Sequence, residues 1–184
     1  MKLFATALAT SLALAALGGA AHAQGISDDV VKIGVLTDMS SLYADATGKG
    51  SVAAVQMAVE DYGAKVKGKP VEVIYADHQN KPDVGVSIAR NWYDNDKVDA
   101  IFDVPTSSVA LPVSALTREK NRININSGGG SSDITGVACS PNTVHYTYDT
   151  YALSNVAGKA MVKRGEDTWF FITADYAFGQ AAGA

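Results

Sequence analysis

From Val31 onward, short β-branched runs alternate with stretches of helical periodicity, and this alternation narrows the fold more than any other feature. Residues 31–37, 71–77, 98–104, 122–126 and 168–173 read as strands. Residues 47–64 carry Val52, Val55, Ala58 and Val59 at near-helical spacing, and Lys67 to Pro70 is a turn. Asn80 is expected to cap a helix that has Pro82 in its first turn and runs to about Asn95. Residues 107–120 and 151–164 read as further helices, and 144–147 as a short extended piece. Another helix begins as the chain ends. Strands separated by amphipathic helices make βαβ units and a parallel sheet, and right-handed crossovers put helices on both faces. The class is α/β.

The N-terminus carries a different signal. Lys2 precedes an apolar run from Leu3 to Leu17, Gly18 and Gly19 break it, and Ala21-His22-Ala23 has the small-x-small pattern of a secretory cleavage site. The run is shorter than the roughly 20 residues that cross a bilayer. Residues 1–23 are therefore expected to be a signal peptide cut after Ala23, and the mature chain a soluble protein of the periplasm or cell exterior. No cysteine adjoins the site to take a lipid anchor.

Composition excludes several classes. Hydrophobic residues make up 47% of the chain and the net charge is −4, with no basic run suited to nucleic acid. His78 and His145 lack zinc-ligand spacing, so no metal or cofactor is expected. There is no Gly-x-Ser-x-Gly elbow and no Ser–His–Asp or Cys–His set, which argues against an enzyme. Cys139, the single cysteine, is a buried thiol, a link between chains, or half of a pair whose partner lies outside this sequence. Residues 169–172, Trp-Phe-Phe-Ile, form a fully apolar strand centre, which normally lies between two helical layers. Only the helix at 151–164 is at hand to cover it. The chain is therefore expected to be truncated, with a second lobe largely missing.

Ligands of open parallel sheets bind beyond the carboxyl ends of the strands. Those ends carry Asp38 to Tyr43, Pro105 to Ser108, and Ser127 to Ser132. They are rich in hydroxyls and backbone amides. Thr106, Ser107 and Ser108 open a helix, whose unpaired N–H groups suit an anion such as a carboxylate; equally, Ser107 simply caps its own helix. The Gly/Ser loop matches no phosphate-binding pattern and reads as a turn beside a pocket. The run His145-Tyr-Thr-Tyr-Asp-Thr-Tyr151 either lines a cleft or is a half-buried crossover strand. Asp77 and Asp103 end strands and are expected to bond neighbouring loops.

The chain resembles the type I periplasmic binding proteins of ABC importers, in the leucine/isoleucine/valine-binding branch. The residues that carry the resemblance are Val31 to Thr37 leading to Met39-Ser40, Met57-Ala-Val-Glu-Asp61, Ala76-Asp77 with Asn80-Lys-Pro-Asp83, Ser107-Ser108 with Pro112, and Tyr176-Ala-Phe-Gly-Gln180. The resemblance implies two Rossmann-like lobes, here 24–145 and the start of a second at 146–184, joined by crossing strands near Val144 to Asp149. It implies a non-enzymatic, periplasmic solute-binding component that traps a small carboxylate ligand between its lobes, acts as a monomer when full length, and docks on an ABC permease of the inner membrane. A ligand-sensing domain of a receptor or regulator shares this fold and is the alternative. Ser107 matches the family serine that holds the ligand carboxylate. Tyr43 lies where a family aromatic covers the ligand. Tyr148 and Phe178 bound the pocket, and Gly128, Gly129 and Ser131 leave the ligand room. Gly130 stands where amino-acid binders have a threonine, Phe178 where they have a tyrosine, and Tyr146 where many have an arginine. These departures favour an aromatic or branched organic acid over a branched-chain amino acid.

Overall fold

The structure, a computed structural model, describes residues 27–183. The expected signal peptide lies outside the described residues. Strand β1 (Val31–Thr37) occupies the middle of a sheet completed by β2 (Lys65–Val66), β3 (Lys69–Asp77), β4 (Ala100–Asp103), β5 (Ile123–Asn126) and β6 (Thr143–His145). The order is β2-β3-β1-β4-β5-β6, parallel throughout except for the β2–β3 hairpin. The helices are α1 (Gly48–Asp61), α2 (Pro82–Asn91), α3 (Ser107–Glu119), α4 (Thr150–Lys163) and α5 (Ala177–Gly183).

The path out of β1 sets the geometry. The chain leaves through α1 to β3 on one side, then returns through α2 to β4 on the other. With right-handed crossovers, α1 falls on one face and α2 and α3 on the opposite face. The strand order reverses beside β1, so the loops after β1 and β4 diverge and open a crevice there.

The core lies under α2 and α3. Leu36 and Ile101 of the sheet meet Ala89, Trp92, Tyr93, Val109, Val113 and Leu116 from the helices. Packing is close: a Cβ on Gly34 would stand 2.6 Å from the Trp92 ring. The other face carries the row Tyr75–Val35–Phe102–Ile125–Val144, one residue per strand in register. There α1 covers the centre. Val35 is fully buried, whereas Tyr75 and Val144 at the flanks are exposed.

Two expectations change. Asn80 does not cap α2. Pro82 opens the helix and holds the preceding residue extended, so Lys81 takes the cap position at φ −115° and ψ 118° without a side-chain bond. Asn80 sits in the turn before it with φ 56°. Second, residues 168–173 do not form a strand. A strand exists through backbone bonds to a neighbour, and among the described residues none lies beside this segment. It remains extended enough for Trp169 and Phe171 to stack, ring centroids 6.3 Å apart. Phe170 and Ile172 are exposed, as are Leu153, Val156 and Val162 of α4. Cys139 is an exposed free thiol, which removes the buried-thiol reading. No described helix is long and apolar enough to cross a membrane.

Candidate functional site

The crevice at the strand ends holds a cavity of about 430 Å³. Its floor comes from the first α/β unit: Tyr43, Ala46 and Thr47 after β1, Pro105 and Ser107 after β4, and Ser127, Gly128 and Gly130 after β5. Its other wall comes from Thr147 and Tyr148 between β6 and α4 and from Tyr176 and Phe178 beyond α4. None of these side chains is charged, so polar recognition falls to hydroxyls and backbone amides.

Ser107 lines the cavity from the first turn of α3. It is buried, and its Oγ accepts the Ser131 N–H at 3.0 Å. That contact occupies an acceptor site and leaves the hydroxyl proton for another partner. The amides of Ser107 and Ser108, in the first turn of α3, lack acceptors within the helix, so this hydroxyl stands at the positive helix end. Thr106 Oγ1 is buried with no partner among the described residues.

The supporting loops are held by polar side chains that do not touch the cavity. Buried Asn126 donates Nδ2 to the Val104 carbonyl at 3.1 Å and accepts the Gly129 N–H through Oδ1 at 2.8 Å. One side chain thus ties the turn before α3 to the Gly/Ser loop. Asp103 accepts the Ser127 hydroxyl. Asp38 accepts the N–H groups of Ser41 and Tyr43 and the Ser41 hydroxyl, winding the loop that presents Tyr43. Asp77 accepts the Met39 N–H and the Ser40 hydroxyl from the loop after β1. The second wall is fastened through Thr150, whose N–H bonds the Gly130 carbonyl and whose Oγ1 accepts the Ser132 N–H.

Of the residues singled out from sequence, Tyr43, Ser107, Gly128, Tyr148 and Phe178 line the cavity together. Thr106, Ser108, Gly129 and Ser131 are not among its lining residues. The glycines do less to make room than expected. A Cβ on Gly128 would lie 2.5 Å from Pro105 Cα, and one on Gly130 would lie 3.0 Å from the Phe178 and Tyr148 rings. Protein packs into the space that side chains there would need. Sequence reasoning missed Ala46, Thr47, Thr147 and Tyr176 as lining residues. Tyr176 was within reach, standing two residues before Phe178 in the same motif; Thr147 lies in the tyrosine-rich run 145–151.

A family model described as periplasmic binding protein matches residues 30–184. The chain belongs to this family. It is related to the binding proteins of branched-chain amino acid ABC transporters, which are non-enzymatic transport components, and membership implies a periplasmic location. Among solved structures, a periplasmic binding protein from Burkholderia mallei is 52% identical over 84% of this chain, with a TM-score of 0.82. A branched-chain amino acid ABC transporter periplasmic ligand-binding protein from Burkholderia xenovorans LB400 is 43% identical over 83%, with a TM-score of 0.74. A solute-binding protein of an ABC transporter from Rhodopseudomonas palustris BisB5, in complex with 3,4-dihydroxybenzoic acid, is 30% identical over 84%, with a TM-score of 0.76. The chain spans 41%, 41% and 42% of these three proteins. A comparison with curated proteins returns no match.

In this periplasmic binding protein the titratable groups sit under the cleft. Burial raises the Asp38 carboxyl, but hydrogen bonds from Ser41, Tyr43 and Ser40 outweigh it and hold the group below its ordinary 3.8. Asp77 likewise lies below its ordinary value: burial opposes the shift, while Met39, Ser40, Gln79 and the nearby His78 drive it. His78 is fully buried, which depresses it below 6.5 against the opposing pull of Asp38, Asp77 and Asp103. Its Nδ1 accepts the Asn80 N–H, consistent with a neutral ring.

Proposed function

We propose that the protein containing this chain is the periplasmic solute-binding component of an ABC importer, and that it takes a small carboxylate in the cleft beside Ser107. The observation that carries this reading is the uncharged cavity lined by Ser107 at the N-terminal end of α3. A carboxylate held there by neutral donors needs no ion pair. The aromatic walls and the absence of a charged lining residue among those described favour an aromatic or branched organic acid over an amino acid, whose ammonium group would find no counter-charge on them. The 3,4-dihydroxybenzoic acid bound by the 30%-identical relative supports that preference.

In this reading residues 1–23 are a signal peptide removed after Ala23, residues 24–145 form the first lobe and 146–184 open the second. Ligand bridges the walls, favours the closed state through contacts made only there, and the closed form docks on a membrane permease. Tyr43, Tyr148 and Phe178 cover the ligand, while Thr106, Ser108, Gly129 and Ser131 shape the anion-binding side from behind.

Calorimetry on the full-length protein with leucine, valine, benzoate and branched aliphatic acids tests the reading. An organic acid is expected to bind best, and Ser107→Ala to weaken it about tenfold or more, because the lost bond is to a charged group. Binding of leucine alone would remove the organic-acid preference. Full affinity in Ser107→Ala would remove the assigned site.

A further inference from the structure

The hydroxyls of Tyr43 and Tyr176 are hydrogen-bonded to each other at 2.5 Å. The two residues are 133 positions apart, one in the loop after β1 and one just ahead of α5. They therefore join the two walls of the cleft, and both line its cavity.

A phenol is at once a donor and an acceptor. When one donates to the other, the acceptor keeps its own proton, and each oxygen keeps lone-pair capacity. The pair therefore holds one unused O–H donor and several acceptor sites beside the cavity. Burial, followed by the bond to Tyr43, raises Tyr176 above its ordinary value of 10.0, so its hydroxyl stays protonated across the physiological range. Phe178 stacks on Tyr176 with centroids 6.0 Å apart and a 22° interplanar angle, which holds the ring in place. Elsewhere in the cavity, the donors of Ser107 and α3 suit an anion instead.

We propose that the Tyr43–Tyr176 pair is a specificity site that reads a hydroxyl group on the ligand, so that the cleft prefers hydroxylated aromatic carboxylates to unsubstituted ones. The inference rests on the carboxylate reading above and adds a second polar subsite, contributed by both walls. A ligand hydroxyl accepts the unused phenol proton and donates to a phenol lone pair. A ligand without it leaves these groups unpartnered once water is excluded, and the cost of that falls on the poorer ligand.

The test is calorimetry of the full-length protein with benzoate and 4-hydroxybenzoate, in the wild type and in Tyr176→Phe and Tyr43→Phe. Each variant keeps the ring that walls the cavity and removes one hydroxyl. The wild type is expected to prefer 4-hydroxybenzoate about tenfold or more, the effect of one to two hydrogen bonds. Either variant should bring that preference within about threefold by weakening 4-hydroxybenzoate more than benzoate. An equal weakening of both ligands would make the pair a simple clasp between the walls and overturn the proposal, as would an unchanged preference. If leucine binds and neither aromatic acid does, this inference fails while the carboxylate site stands. If Ser107→Ala also leaves that leucine binding intact, the site itself is wrong.

Discussion

At the scale of single residues, the cleft depends more on side chains beneath it than on those facing it. Asn126 shows this most clearly. It lies fully buried in β5 and bonds both the Val104 carbonyl and the Gly129 amide. Asn126→Leu keeps much of the volume but leaves two backbone groups without partners. A buried unpartnered group costs about 1–3 kcal/mol, so a loss near the upper end of that range is expected in urea unfolding of the full-length protein. A change within experimental error would show that water replaces the side chain. No sequence pattern marks Asn126 as a tie between loops, because its partners, 22 positions before it and 3 after it, meet only when β4 and β5 pair. The place of Ser107 at the first turn of a helix was legible for the opposite reason, because it is a local fact, whereas the carboxylate role proposed for it came from the family resemblance.

At the scale of elements, the strand-and-helix rhythm was readable wherever an element is stabilised by its own pattern or by a neighbour close in the chain. β1 spans the expected residues, and α3 and α4 begin and end within one residue of expectation. The exceptions have physical causes. Pro82 moved the start of α2, and residues 168–173 have the composition of a strand without a strand to pair with. Contact between elements is tight where β1 meets the end of α2. Gly34→Ala would drive its new methyl into the Trp92 ring, 2.6 Å away. Overpacking of this kind costs about 1–3 kcal/mol, and the thermal midpoint of the variant should fall with its ligand preference unchanged. An unchanged midpoint would mean that the Trp92 ring moves aside freely.

At the scale of the whole molecule, the buried titratable groups tie stability to pH. His78 is depressed in the folded protein, so its contribution is complete above about 6.5, the ordinary value, and is lost as pH falls through the lower folded value. Asp38 and Asp77 are also depressed, so their contributions are present above 3.8 and are lost as pH falls further. Two acid steps are therefore expected in the unfolding free energy, one starting below pH 6.5 and one below 3.8. His78→Gln should flatten the first and spare the second. If the first step persists in His78→Gln, the residue responsible lies elsewhere.

Read alone, the sequence determined the α/β class, the parallel sheet, the family resemblance and the anion-suited start of α3, because periodicity, turn chemistry and helix-end polarity are local properties. The tertiary structure decided which of those pieces form a site. Only the sheet order, with β1 between β3 and β4, opens the crevice. Only folding brings Tyr43 to Tyr176 and Asn126 beneath two loops. Such contacts join residues far apart in the chain, and no local pattern encodes them.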